Sequence, residues 1–427
     1  MTQINLNVDV HHLTRVEGHG NIHVKVANGH LQEARWEVVE TPRFFEVMLR
    51  GKHFTSAGIL TSRICGICSI GHCLASVRAT EDAFGVTIPD AAAKLRLLAK
   101  HGETLQSHAL HLFFLAAPDF LGLPSAIPLI EARPDVVAIA ARLKGLANRL
   151  CDAVAGRTTH PVAIQPGGMG MLPDKRKLEG LRRELEQTLD DYIIVGNLFS
   201  TFKIPDFARE TEFVSLKGVR DYPWIGGDLL SSDGVCRPER DYRAMTNEYA
   251  VDGQTTKWCK LSRDSFAVGA LARFNNNSEF LRPEAKKVAD LFGLKPVNHN
   301  PYMHNIAQLV EAVHVTYEMM LLIDQILGWP ESTEIMTPVT PRAGEGVGAV
   351  EVPRGILYHH YAYDQDGYVT KANCIIPTTQ NHKNISDDMP ALVAHFAPEP
   401  GMDDARLELL CSMLVRAYDP CISCSVH

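Results

Sequence analysis

Four cysteines fall into two Cys-x-x-Cys pairs near opposite ends of the 427-residue sequence. The first is Cys65-Gly66-Ile67-Cys68, within Arg63-Ile64-Cys65-Gly66-Ile67-Cys68-Ser69-Ile70-Gly71-His72. The second is Cys421-Ile422-Ser423-Cys424, preceded by Asp419-Pro420 and followed by Ser425-Val426-His427. Two intervening residues let both thiolates of a pair face one metal, and Gly66 relieves backbone crowding between them. Each pair can be half of a four-thiolate site. The long chain between them is no obstacle, because closure entropy grows only logarithmically with loop length. Spacing alone leaves a structural zinc site as open as a redox-active one. His72, four residues after Cys68, stands where a ring N–H can donate to a sulfur. The other cysteines, Cys73, Cys151, Cys236, Cys259, Cys374 and Cys411, are scattered singly and read as buried, reduced residues. A chain of this length needs no disulfide staples.

Composition narrows the function classes. A net charge of −8 without a long basic block excludes nucleic acid as the main partner. Charged residues make up 22% and hydrophobic residues 45%, as in globular proteins. No apolar run reaches the roughly 20 residues of a membrane span; Ile193 to Phe202 is too short and is interrupted by Gly196 and Asn197. The opening residues have neither the basic nor the apolar region of a secretory signal, so the chain is expected to act in the cytoplasm unless a partner carries the address.

The cysteine pairs need elements to position them. Ile22, Val24 and Val26 alternate before Asn28-Gly29, which predicts a hairpin in the first forty residues. From Asp90, read as an N-cap, apolar residues recur every three or four positions through Ala116. Similar patterns predict helices over 134–156, 174–200, 303–328 and 404–418, with Pro420 stopping the last. A second hairpin is expected over 356–377, turning at Asp366-Gly367. Without repeats or linkers, residues 1–427 read as a single domain. Its expected class is α+β, mainly α: a long-helix bundle with small peripheral β-sheets.

The motif R-x-C-G-x-C-x-x-x-H near one end and D-P-C-x-x-C-x-x-H at the other is similar to the paired signature of nickel-iron hydrogenase large (catalytic) subunits. Further matches are Arg15-Val16-Glu17-Gly18-His19, Phe44-Phe45-Glu46, Gly156-Arg157 through His160-Pro161 to Pro166-Gly167-Gly168, Pro353-Arg354-Gly355 and Pro377-Thr378-Thr379. The resemblance implies reversible heterolytic cleavage of H2 to protons and electrons. It places Ni on Cys65, Cys68, Cys421 and Cys424, with Cys68 and Cys424 bridging to an Fe that carries CN and CO ligands. Soft thiolates suit both metals. The resemblance also implies roles for single residues. Arg354, beside Pro353 and Gly355, reaches over the open face of the metals, although a lone Arg would otherwise read as a surface residue. Asp419 anchors Arg354, Thr378 donates to a cyanide, and His72 donates to the sulfur of Cys424. Cys421 accepts the first proton and Glu17 relays it. Glu46, His427 and the backbone carbonyl near Cys374 hold a second cation, Mg or Fe. Ile67 and Leu115 line the inner end of the gas route.

Two departures favour the soluble, cofactor-coupled branch of the family. Ser107 stands where better-known members carry an Asp beside the arginine, and Gln380 stands where they carry a Trp. The remaining cysteines form no third cluster motif, so an iron-sulfur small subunit is implied as the electron acceptor. Flavin/NAD(P) or heterodisulfide reductase subunits are expected behind it. Ending at His427 resembles a precursor trimmed by a maturation endopeptidase. Two other readings compete: a zinc-stabilised scaffold or interaction protein, and a structural subunit related to the quinone-site subunit of the respiratory NADH dehydrogenase complex, a line that lacks the four cysteines this chain keeps.

Overall fold

Small residues bring the first cysteine pair and the arginine to one end of a helix-on-sheet unit. The computed structural model describes residues 4–427. Helix α1, Ser69–Phe84, lies along a strand of sequence GEGVGAVEV, Gly344–Val352. Alternate glycines of that strand face the helix. A Cβ on Gly346 would meet Ala83 N at 2.2 Å, and one on Gly348 would meet Ala75 O at 2.2 Å. A Cβ on Gly71 would meet Val352 Cγ1 at 2.2 Å. Close approach therefore requires glycine on both elements. It sets the start of α1, with Cys68 as its N-cap, beside the end of the strand that leads to Arg354.

The remaining helices used below are α2 (Asp90–Leu110), α3 (Pro134–Ala155), α4 (Lys175–Gln187), α5 (Leu189–Phe199), α6 (Ala270–Asn277), α7 (His304–Leu327), α8 (Pro377–Phe396) and α9 (Asp404–Ala417). Strands β1 (Leu6–Val10), β2 (Gly20–Ala27) and β3 (His30–Val38) form one antiparallel sheet, with Asn28 and Gly29 at positive φ in the expected turn. A central sheet pairs Glu212–Leu216 (β4), Leu229–Ser231 (β5), Cys236–Arg237 (β6) and Phe266–Ala267 (β7) in the order β6-β5-β4-β7. The third sheet runs β8 (Gly344–Val352), β9 (Gly355–Tyr363), β10 (Val369–Ile375), all antiparallel. The class is α+β and mainly helical, as the patterning indicated. A large core joins the long helices to β1–β3, and a smaller apolar cluster around Val347, Ile356 and Tyr358 fills the face of β8 and β9 opposite α1.

Several elements differ from expectation. Pro89, not Asp90, is the N-cap of α2, and the helix continues past Leu110 as a π-helical segment, His111–Ala116. The expected helix over 174–200 divides at Thr188, whose backbone N–H and hydroxyl both donate to Leu185 O, at 3.1 and 2.7 Å, and so close the first helix. The longest apolar helix is not at Ile193–Phe202: Pro301–Leu327 has the length and composition of a span, and it is largely buried inside the protein.

Candidate metal centre

The first pair is arranged within one turn of chain. Cys65 is extended after the short 3-10 helix Ser62–Ile64, and its sulfur accepts from the N–H groups of Ile67 and Cys68, each at 3.3 Å. Gln106 of α2 donates to Ile67 O at 2.7 Å and fixes the loop from outside. The second pair lies beyond α9. Asp419 takes a left-handed φ of 49°, turning the chain so that Cys421 N–H donates to the Thr378 hydroxyl at 2.9 Å. Cys65 and Cys421 sulfurs are 3.6 Å apart, and all four buried sulfurs lie within 4.8 Å of one another. The sulfurs of Cys421 and Cys424 lie directly against each other within this group. The Cys65 thiol is pushed down, first by its hydrogen bond with Cys68, then by Arg354 acting against burial. The same bond and burial push Cys68 well up.

Arg354 occupies the tip of the β8–β9 hairpin, where Val352 pairs with Gly355 and only Pro353 and Arg354 turn the chain. Gly355 has a φ of 135°, and a Cβ there would strike Val268 Cγ2 at 2.4 Å. The guanidinium is buried at 3% exposure, donating through Nε to Asp419 O at 2.7 Å and through Nη2 to Asp419 Oδ1 at 3.0 Å. Burial opposes its charge, but Asp419, the sulfurs of Cys68 and Cys65, and Glu17 outweigh it and push its pKa up. Its Nη1 and the buried Ser107 Oγ have no hydrogen-bond partner among the described residues.

The other anticipated residues gather around this core. Glu17 pairs with Cys421 through an isolated bridge, receives Ile422 N–H on its carbonyl at 2.9 Å, and holds Ser423 through N–H at 3.1 Å and through its hydroxyl. Thr378 is in the first turn of α8. His72 is buried with Nδ1 3.1 Å from His359 Nε2; His359 Nδ1 in turn meets the Tyr361 hydroxyl at 2.5 Å. Gln380 donates to Ile356 O at 2.7 Å from within α8. Leu115 and Ile67 are half-buried.

Comparison with known proteins decides the family. A family model described as nickel-dependent hydrogenase matches residues 43–144 and 254–427, and one described as HoxL-like matches residues 7–41. The alpha subunit of sulfhydrogenase 2 from Pyrococcus furiosus is 33% identical over 421 residues, covering 98% of each chain. The chain belongs to the nickel-dependent hydrogenase family. It is an oxidoreductase acting on H2, the large, catalytic subunit of its enzyme. One subunit of the F420-non-reducing hydrogenase vhu of Methanocaldococcus jannaschii is 34% identical, covering 86% of this chain and 94% of that one. A solved NAD+-reducing [NiFe]-hydrogenase superposes with a TM-score of 0.87 at 26% identity, covering 99% of both chains.

The hydrogenase has a second group of side chains that could hold a metal ion: Glu46, Cys374 and His427 place one such atom each within 4.8 Å of the others. The structure thus brings the Cys374 side chain, in addition to the backbone near it, into this group. Cys374 N–H donates to Glu46 Oε1 at 2.7 Å, His427 Nε2 is 3.5 Å from the same oxygen, and His427 Nδ1 meets Cys424 O at 2.9 Å. Burial raises the Glu46 pKa, and His427 with the Cys374 amide more than reverses it, leaving the carboxyl below its ordinary value.

Sequence reasoning missed the support beneath Arg354. Arg273 of α6 is fully buried and donates to Val352 O at 2.8 Å and Pro353 O at 3.0 Å, clamping the hairpin tip. Glu311 and Glu351 hold Arg273 at 2.6 and 2.9 Å, and His108 Nε2 meets Glu311 at 2.8 Å. No spacing or motif marks these residues, because they lie on four separate elements.

Proposed function

We propose that the chain splits H2 heterolytically at a nickel-iron centre, with Cys65 and Cys421 as terminal ligands and Cys68 and Cys424 shared between the metals. The carrying observation is four buried sulfurs within 4.8 Å, beside a buried arginine. The donor set fits: soft sulfurs suit nickel and a low-spin iron bearing CN and CO. When bound, the centre supplies the two-electron chemistry of H2. Arg354 presents a fixed positive charge in a water-poor site, where preorganised charge acts most strongly. Asp419 holds that guanidinium, and Pro353 and Gly355 shape the turn that carries it. The Thr378 oxygen accepts from Cys421 N–H, leaving its own hydrogen free to donate to a cyanide. His72 supplies a ring N–H for the sulfur of Cys424, and its bond to His359 fixes the ring. Cys421 Sγ receives the first proton, and the Glu17 carboxylate, seated on the same loop, takes it onward. Glu46 and His427, with the backbone at Cys374, hold a magnesium or iron ion that ties down the last residues.

Electrons leave to the iron-sulfur small subunit, then to flavin/NAD(P) or heterodisulfide reductase subunits in the cytoplasm. Support comes from relatives named as subunits, among them the NAD-reducing hydrogenase HoxS subunit beta of Cupriavidus necator. Elemental analysis and infrared spectroscopy of the purified enzyme test the centre. Nickel with iron and a set of CN and CO stretches are expected; zinc alone, or no such bands in active protein, sinks the assignment. Glu17→Gln tests proton exit: hydrogen/deuterium exchange with water should collapse while para-to-ortho conversion survives. Equal loss of both would point to damaged assembly, and unchanged exchange with water would remove Glu17 from the relay.

A further inference from the structure

The carboxylate that anchors Arg354 has a support of its own. Asp419 offers Oδ1 to Arg354, and its Oδ2 accepts from Gln308 Nε2 at 3.2 Å. An amide that donates to a carboxylate on one side must present its oxygen on the other. There Gln308 Oε1 lies 2.6 Å from His111 Nδ1. His111 Nε2 lies 2.7 Å from the carbonyl oxygen of Arg416, so each ring nitrogen faces an oxygen acceptor and the tautomer that donates from Nδ1 holds Gln308. Arg354, Asp419, Gln308 and His111 are all at most 3% exposed, so water does not compete for these bonds. The chain of bonds spans α7, the π-helical segment that begins at His111, and the turn leading to Cys421. π-Helical segments recur where a helix re-aims side chains at a site. On α2, where family resemblance leads to an Asp, Ser107 offers no carboxylate, and among the described residues the carboxylate bonded to Arg354 is that of Asp419.

We propose that Gln308 and His111 are positioning residues: acting through Asp419, they fix the guanidinium of Arg354 next to the sulfurs of Cys65 and Cys68. The inference rests on the reading of Arg354 as the charge that assists H2 cleavage. Loss of Gln308 frees one carboxylate oxygen of Asp419, and the carboxylate then rotates away from the orientation Arg354 requires. The effect falls on turnover and on guanidinium order, and leaves the metal ligands in place.

The test uses the complete enzyme complex carrying Gln308→Met, a side chain of similar length without N–H or carbonyl. Two quantities are read: H2-dependent turnover, and solvent exchange of the Arg354 side-chain N–H groups in 15N-arginine-labelled protein, assigned by their loss in Arg354→Lys. Exchange should accelerate and turnover fall, each by about tenfold, the scale of one hydrogen bond to a charged group. Nickel content should stay at the wild-type level. His111→Leu should act alike, and the double variant should lose little more, since both residues work through one bond to Asp419. On an Arg354→Lys background, Gln308→Met should cost no further turnover. Unchanged Arg354 exchange in Gln308→Met overturns the proposal, as does a full additional loss on the Arg354→Lys background. If Gln308→Met does not accumulate, Gln308→Asn withdraws the donor from Asp419 while keeping an amide, and the same two outcomes decide. Full activity in Arg354→Lys would instead remove the catalytic reading of Arg354, with the exchange measurement still deciding the positioning chain.

Discussion

The N-terminal cysteine pair is held by its own turn: Cys68 caps α1, and the N–H groups of Ile67 and Cys68 bond the sulfur of Cys65. The C-terminal pair lies on one short helical turn, Ile422–Ser425, closed by Ser425 N–H to Cys421 O at 3.3 Å. Beyond that turn it is held by remote parts of the chain: Glu17 to Ser423, Arg43 to Ser423 O and to Val426 O, Thr378 to Cys421, Thr256 and Thr379 to Ser425 O. The helix-on-sheet unit preforms one half of the site, and tertiary docking completes the other. Arg43 touches both halves, because the nitrogen that reaches Ser423 O also donates to Ile64 O at 2.8 Å.

The largest effect should come from the ligands themselves. Cys68→Ala and Cys424→Ala should both abolish nickel retention, measured by elemental analysis, since each removes a metal bond. The halves should then part company. In Cys424→Ala the chain around Cys65 keeps its amide protection, because its hydrogen bonds are local. Loss of that protection would show that the first half is not preformed.

Arg354→Lys comes next. Lysine keeps the charge but has a single compact head where arginine has a planar fork, so it cannot reproduce both bonds to Asp419. Turnover should fall by about 10²–10³, the usual cost of one preorganised electrostatic partner, with nickel content unchanged. Full activity would make Arg354 a charge-balancing bystander.

Arg43→Met should produce a smaller, selective effect. It removes charge-assisted bonds worth about 1.5–3 kcal/mol each at most, and only across the seam between the halves. Nickel occupancy should drop about tenfold while circular dichroism stays the same. An equal loss of helix content would mean that Arg43 supports the whole fold and not the seam.

The same contrast explains what could be read from the sequence. The cysteines were legible because ligand spacing is a local property, and α2, α3, α7 and α9 because one apolar face repeats with a helical period. Helix α1 was not, because almost every residue from Ser69 to Phe84 is buried and no polar face marks a period. Helix α8 was hidden by a similar lack of pattern and by Pro390 within it. Residue types at the site, and Asp419 as the anchor of Arg354, came from resemblance, but the support behind them did not. Arg273, Glu311, Gln308 and His111 act through contacts between elements far apart in sequence, for which single-chain patterning has no signal.

Ser107→Asp should give the smallest effect, and it tests whether the anchoring of Arg354 from the C-terminal side is complete. Ser107 Oγ and Arg354 Nη1 are both buried and lack a hydrogen-bond partner among the described residues; the resemblance, which puts an Asp beside the arginine at this position, implies that Ser107→Asp brings a carboxylate to a guanidinium with a free N–H. Burying that carboxylate costs several kcal/mol of solvation, and pairing with an already charged guanidinium returns a similar amount. The two contributions nearly cancel, and Asp419 already fixes Arg354 through Nε and Nη2. Turnover of Ser107→Asp should therefore stay within about threefold of wild type, far from the loss expected for Arg354→Lys. Combined with Gln308→Met, it should restore part of the lost turnover by giving Arg354 a second carboxylate from α2. A loss in Ser107→Asp alone as large as that of Arg354→Lys would mean that the C-terminal anchor cannot hold the guanidinium against a competing charge.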